Sequence, residues 1–234
     1  TRRSNRWNRG QDLSPVVLRA VSDFILERDA RQAGKSIVGD KSPNSLNDGE
    51  AVRLMHKVYP DGYLLYIVRD GRDTVLSHRF QAFIDFPDQL SSEDLQIRDQ
   101  FAQNPEPFLR GERSVFTEKA IQRAAEGWVR NMTETHTLGK ELFGEHYYAL
   151  RYEDLLTDYD SEVSRLVRFL KLDGSKPEVQ KVTEGYRPGA AEGQQGLHFY
   201  KGKIGRFRES YTPEQQAILK ERMGGYLSKM GYEL

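Results

Sequence analysis

Segments that fit buried strands alternate along this chain with segments that fit amphipathic helices. The clearest strand is GYLLYIV, residues 62–68, because its continuous apolar run is typical of a strand covered on both faces. Strands separated by helices imply βαβ units, so we predict an α/β fold with a parallel β-sheet flanked by helices. The further predicted strands are SIVGD (36–40) and HYYALRY (146–152), and the predicted helices are 14–32, 47–60, 71–83, 119–142 and 161–172.

Two polar stretches interrupt this alternation. Residues 85–114 carry three of the nine prolines, and residues 184–196 are rich in glycine. Long loops of this kind are lids or mobile excursions from a sheet. Because strand and helix signals resume after each of them in the same alternating pattern, we predict a single domain over residues 1–234.

Composition excludes several classes of function. The 35 basic and 35 acidic residues cancel, which argues against a surface that binds nucleic acid generally. The chain has no cysteine, so it has no disulfide framework, thiolate nucleophile or cysteine metal site. No apolar run reaches the roughly 18 residues that span a bilayer. We therefore expect a cytoplasmic location, with neither a membrane nor a nucleic acid as partner.

A cluster of charges, RDGRD (69–73), directly follows the clearest strand. In an open parallel sheet, ligands bind beyond the carboxyl ends of the strands, where the next helix presents unpaired N–H groups. Arg69 stands at this point, and Ser77 lies about two turns into a helix that begins near Gly71. A phosphate monoester would fit these donors. A surface Arg-Asp pair with a solvent-facing serine fits the same spacing, and the spacing alone leaves both interpretations open.

Four motifs resemble the sulfotransferases that use 3'-phosphoadenosine 5'-phosphosulfate (PAPS). YIVRDGRDTVLS is similar to the 3'-phosphate site of that family, with an apolar strand, Arg-Asp, and a serine eight residues after the arginine. The resemblance covers the chain from about residue 36 to the C-terminus, and the Arg-Asp-Gly-Arg form is more similar to the bacterial and tyrosylprotein branch than to the cytosolic steroid and phenol enzymes. The other motifs follow in the family's order: GDKSP (39–43), LRYEDLLTD (150–158), and KGKIGRF (201–207) with the helix after it.

The resemblance implies a nucleotide site. Arg69 and Ser77 would hold the 3'-phosphate, Tyr152 would lie beside the adenine, and Lys201 and Gly202 would close over the 3'-phosphate. Without the motif, a tyrosine at a strand end is more often a core residue whose hydroxyl reaches the surface. Lys201 in its basic surroundings is likewise more often part of a solvated face.

Lys41, in GDKSP, is the candidate catalytic cation. Sulfuryl transfer builds negative charge on the leaving phosphate oxygen, and an ammonium placed there stabilises charge that is present only in the transition state. The resemblance puts the family's lysine at that oxygen. The alternative is a lysine paired with Asp40 at a strand end.

The sequence also departs from the family. Pro43 stands where the cytosolic enzymes have a histidine, and Tyr200 stands where an arginine usually precedes Lys-Gly. His78 follows Ser77, but neighbouring helix positions point about 100° apart, so we expect it to face elsewhere. His56 is expected to be packed or exposed. No general base is assigned.

The family's phosphate-cradling loop, similar to Pro-Arg/Lys-Ser-Gly-Thr-Thr, does not occur in this sequence. Gly34-Lys35-Ser36 lacks the first glycine and the preceding strand that a phosphate loop requires. Compared with the P-loop-NTPase-like sulfotransferase fold, residues 1–234 are therefore expected to lack the N-terminal strand and phosphate loop. Alone, they are expected to be inactive.

The resemblance thus implies transfer of a sulfuryl group from PAPS to a hydroxyl or amine, with adenosine 3',5'-bisphosphate (PAP) as product. The acceptor is undetermined: a small molecule, a carbohydrate or a protein tyrosine. One alternative is a non-catalytic module that binds PAP or a partner protein. Another is an ordinary P-loop kinase, which would use Mg²⁺, whereas the sulfotransferase resemblance implies no metal.

Overall fold

Two parallel strands form the sheet in the described part of the chain. The structure, a computed structural model, describes residues 10–41, 49–188 and 204–234. Strand β1, Leu64–Val68, pairs with β2, Tyr147–Arg151, and the register runs from Leu64 opposite Tyr147 to Val68 opposite Arg151. The predicted α/β class and parallel pairing are confirmed.

Helices make up most of the remaining described residues. The first six are α1 Ser14–Ala33, α2 Glu50–Val58, α3 Gly71–Asp85, α4 Ser92–Gln103, α5 Glu106–Leu109 and α6 Glu118–Asn131. The next six are α7 Leu138–Phe143, α8 Tyr152–Thr157, α9 Tyr159–Phe169, α10 Pro177–Gly185, α11 Phe207–Ser210 and α12 Pro213–Lys229. A π-helical turn, Met132–Thr137, joins α6 to α7, and 3₁₀ turns occur at Pro87–Gln89 and Gly144–His146.

The core lies on one side of the sheet, between β1, α3, α6 and α12. Apolar residues recur every three or four positions on α6 and α12 and are buried together, as expected for helices with one apolar face. A capping box at the start of α12, between Thr212 and Gln215, fixes the first turn of that helix. The fully buried core residues on α6, on the turn after it and on α12 are Ile121, Ala125, Met132, Leu219, Met223 and Leu227.

The other face of β1 is not covered by the described residues. Leu65 is 41% exposed and Ile67 is 59% exposed. Parallel sheets are usually buried on both faces, so the expectation from the apolar run at 62–68 is wrong for this face.

Helix α1 also turns apolar side chains to solvent. Val17, Val21 and Phe24 are all more than half exposed. Polar contacts attach the helix to the turn before β1, where the Arg19 guanidinium donates two hydrogen bonds to the Asp61 carboxylate at 2.6 and 2.8 Å. An apolar stripe is therefore present, as predicted, but it does not pack into the described core.

Three sequence-based assignments are corrected. Residues 37–41 have no regular structure, and the predicted strand at 36–40 does not form, because no described strand lies beside it to take up its N–H and C=O groups. The stretch 85–114 is not a plain loop, since it contains α4 and α5. The predicted helix 119–142 is interrupted by the π-helical turn.

Candidate nucleotide-binding site

Most of the charge cluster after β1 is used within the fold. Asp70 is the N-cap of α3, and its carboxylate accepts the backbone N–H of Arg72 at 2.9 Å. The same carboxylate forms a buried ion pair with the Arg72 guanidinium, at 2.7 Å from Nη2 to Oδ2. The pair therefore stabilises the start of the helix and is not available to a ligand.

Gly71 begins α3 where three helices meet. A Cβ atom at this position would lie 2.6 Å from the Trp128 ring and closer still to the Met223 methyl group. Only glycine allows this approach, so the glycine of RDGRD is required by packing against α6 and α12.

Asp73 connects α3 to the segment before the last helix. Its carboxylate accepts the backbone N–H groups of Gly205, at 2.7 Å, and Phe207, at 2.9 Å. The Arg72 guanidinium lies 4.0 Å from the centre of the Phe207 ring, and the Tyr211 hydroxyl donates to the Arg72 carbonyl at 3.0 Å. Burial, with the nearby charges of Asp73 and then Asp70, raises the pKa of Tyr211, so this hydroxyl keeps its proton.

Arg69 differs from the other charges of the cluster. It stands at the carboxyl end of β1, and its guanidinium carbon lies 5.0 Å from the centre of the Tyr152 ring at the end of β2. Its Nε–H is buried and has no hydrogen-bond acceptor among the described residues. A buried charged donor without an acceptor is costly, and a bound anion would satisfy it. The structure thus brings together two of the predicted site residues.

Two further side chains lie on the first turns of α3. Ser77 is exposed, as a ligand contact requires. Desolvation, and then the charge of Arg69, lower the pKa of His78, although its side chain still reaches solvent. The expectation that His78 faces away from Ser77 stays a prediction.

The remaining predicted residues are not brought to this site by described contacts. Lys41 is exposed at the end of segment 35–41, which has no regular structure. Lys201 and Gly202 lie outside the described residues, as do Pro43 and Tyr200. The structural roles of Gly71 and Asp73 were missed by the sequence analysis, because their partners are distant in the sequence.

A protein-family model described as the sulfotransferase family matches residues 5–176, which is well over half of the chain. The chain belongs to the sulfotransferase family. The predicted resemblance is thereby confirmed at the level of the family, and its assignment to the bacterial and tyrosylprotein branch stays a prediction.

Among solved structures, the chain is similar to mouse sulfotransferase SULT7A1, crystallised in complex with PAP. The two chains share 18% identity, with a TM-score of 0.49, and the match covers 86% of this chain and 73% of the mouse chain. No curated protein matches the sequence.

Two searches of the described residues found no candidates. No helix in residues 10–41, 49–188 or 204–234 is long and apolar enough to cross a membrane. No group of three or more histidine, cysteine, aspartate or glutamate side chains in the same ranges is arranged to hold a metal ion.

Proposed function

We propose that this sulfotransferase transfers a sulfuryl group from PAPS to a hydroxyl or amine acceptor, producing PAP. The observation that carries the proposal is the Arg69 Nε–H, a buried donor with no acceptor among the described residues, on a side chain beside an aromatic ring at the carboxyl ends of two parallel strands. An adenosine carrying a 3'-phosphate has an anion for the guanidinium and a flat base for the ring.

Each predicted residue has a stated part in this function. Arg69 and Ser77 donate to the 3'-phosphate, and Tyr152 lies beside the adenine. Lys201 and Gly202, from the family motif, close over the 3'-phosphate. PAPS itself supplies the activated sulfuryl group, and no metal takes part in the proposed reaction.

Lys41 is proposed to stabilise the negative charge that develops on the leaving phosphate oxygen. An interaction made mainly in the transition state lowers turnover when it is removed, with little effect on the affinity for the donor. In the protein as its source gene encodes it, we therefore expect Lys41→Met to reduce kcat for transfer from labelled PAPS while the dissociation constant of PAP changes little. Lys35→Met, on the same exposed segment, is the matched control. Unchanged kcat in Lys41→Met would remove the catalytic assignment.

The proposal also concerns the 5' end of the donor. One lysine does not replace a loop of backbone N–H donors at a helix N-terminus, which is how proteins usually hold such a group. We therefore propose that a strand and a phosphate loop encoded upstream of residue 1 complete the domain. The exposed apolar side chains of β1 and α1 support this, because a further strand and helix would cover them.

The experiment is a transfer assay with labelled PAPS on two polypeptides. The first is the protein as its source gene encodes it, and the second is residues 1–234 alone. We expect transfer by the first and none by the second. Turnover by residues 1–234 alone would contradict the proposed position of the 5'-phosphosulfate site.

A further inference from the structure

Glu153 is buried where three separate parts of the chain meet. It follows Tyr152 in the first turn of α8 and is 6% exposed. One carboxylate oxygen accepts the backbone N–H of Asp70 at 2.9 Å, and the other accepts the Tyr232 hydroxyl at 2.8 Å. A single side chain therefore joins the end of β1, the end of β2 and the C-terminal residues.

The two hydrogen bonds of Glu153 lie beyond the point where β1 and β2 are paired. The parallel register ends at Val68 opposite Arg151, so the next residues on each strand, Arg69 and Tyr152, lie beyond the paired positions. The N–H of Asp70 belongs to the peptide unit that begins at Arg69, and this unit is planar and stiff. By holding that N–H, Glu153 sets how far the backbone of Arg69 lies from the backbone of Tyr152.

Tyr232, one of the two donors to Glu153, is itself held by a further contact. The Arg151 guanidinium lies 4.5 Å from the centre of the Tyr232 ring. Burial, and then the charge of Glu153 and the hydrogen bond to it, raise the pKa of Tyr232, so the hydroxyl remains a donor.

We propose that Glu153 is a positioning residue of the nucleotide site, which holds Arg69 against Tyr152 so that the site selects nucleotides with a 3'-phosphate. This inference rests on the proposed function, because it takes the anion at Arg69 to be that phosphate. Glu153 does not touch the nucleotide. Its effect is on selectivity, which a carboxylate that only stabilises the fold would not change.

Glu162 provides a matched control within the same chain. It is 3% exposed, and its carboxylate accepts the Tyr148 hydroxyl at 2.6 Å, as Glu153 accepts Tyr232. Its second oxygen accepts from Arg165 and not from the backbone that carries Arg69. Removal of either glutamate leaves a tyrosine hydroxyl without its acceptor, but only one removal releases the Asp70 N–H.

The test measures the binding of PAP and of adenosine 5'-monophosphate by calorimetry. The measure of selectivity is the dissociation constant of adenosine 5'-monophosphate divided by that of PAP. We expect Glu153→Ala to reduce this ratio about tenfold, the equivalent of one ordinary hydrogen bond. Glu153→Gln keeps an acceptor for the Asp70 N–H and should keep the ratio. Glu162→Ala should lower the thermal midpoint and keep the ratio. Glu153→Met fills a similar volume but offers the Asp70 N–H no carboxylate acceptor, and it should reduce the ratio in the same direction should Glu153→Ala not fold.

The outcomes separate the two proposals. A native chain that binds both nucleotides equally would remove the proposed function, and the inference with it. A native chain that prefers PAP, with the preference unchanged in Glu153→Ala or, where that variant does not fold, in Glu153→Met, would overturn the inference alone. Equal loss of preference in Glu153→Ala and Glu162→Ala would also overturn it, because the effect would then follow stability.

Discussion

At the scale of single residues, the five positions after β1 divide into residues with structural partners and Arg69, the proposed binding residue. Asp70, Arg72 and Asp73 are buried and paired within the chain, whereas the Arg69 Nε–H has no described acceptor. A strand can end on charged residues at little cost when each charge caps a helix, pairs or binds a ligand. The charge cluster is therefore a structural junction, with Arg69, the proposed phosphate-binding residue, at its edge.

Gly71 gives a prediction at this scale. We expect Gly71→Ala to lower the free energy of unfolding by about 1–3 kcal/mol, as for other overpacked sites, because the new methyl group would collide with Trp128 and Met223. Gly127→Ala is the control, since it lies inside α6 with no atom within 4 Å of the added Cβ. That change should stabilise the helix by about 0.5–1 kcal/mol. Urea unfolding that gives both variants the same sign would contradict this account of Gly71.

What could be predicted at residue scale depended on distance along the chain. The spacing of Arg69 and Ser77 is local, and the sequence showed it. The partners of Asp73 lie 132 and 134 positions away at Gly205 and Phe207, and no local sequence pattern predicts them. The contact of Arg69 with Tyr152 followed only from the parallel arrangement of the strands and the family resemblance.

At the scale of elements, the region 85–114 is attached to α3 by a buried ion pair. Arg79 of α3 donates to Asp94 of α4 at 2.5 Å and to the Val115 carbonyl at 2.7 Å. Arg79 also lies against the rings of Phe83 and Phe116. The contacts of Phe116, and of Phe101 with Phe108, are consistent with aromatic residues that pin this region in place.

Removal of one member of this pair should be strongly destabilising. We expect Asp94→Ala to lower the free energy of unfolding by about 3–5 kcal/mol, because Arg79 would remain buried without its counter-ion. Asp99→Ala breaks the exposed pair with Arg98 on the same helix and should cost about 0–1 kcal/mol. Similar losses in the two variants, measured by urea unfolding, would show that the buried pair does not anchor α4.

Elements were predictable from sequence where their patterning was local. The apolar runs of β1 and β2 and the local pattern of α3 were sufficient, and the last helix, α12, was expected from the family resemblance. The exposed segment 36–40 has a strand-like composition, but a strand also needs a neighbour, which composition does not report. Helix α4 was missed because prolines and polar residues surround it, although Ser91 caps it by accepting the N–H of Asp94.

At the scale of the whole molecule, two histidines couple stability to pH. Desolvation and then Arg69 lower the pKa of His78, and desolvation, Lys140 and Lys229 lower the pKa of His136. Below 6.5, their ordinary pKa, the two histidines bind protons more readily in the unfolded chain than in the folded chain. Proton binding therefore favours the unfolded chain, and the free energy of unfolding decreases as the pH falls.

We therefore expect the thermal midpoint of unfolding to decrease as the pH is lowered through 6.5 towards the folded pKa values of His78 and His136. Replacing both histidines with glutamine should flatten this part of the profile, and the remaining slope should lie at lower pH, where carboxylates titrate. A midpoint that rises over the same interval, or an equal slope in the double variant, would contradict the assignment.

The central claim is that Arg69 binds the 3'-phosphate of an adenosine nucleotide, and calorimetry of Arg69→Ala tests it most directly. We predict that this variant binds PAP more weakly by about 1.5–3 kcal/mol, the usual contribution of a hydrogen bond to a charged group, while adenosine 5'-monophosphate binds nearly as before. Arg187→Ala is the control, because Arg187 lies over the Tyr159 ring at 5.1 Å but pairs with Asp160 and Glu184. Equal losses for the two nucleotides in Arg69→Ala, or no loss for PAP, would contradict the account.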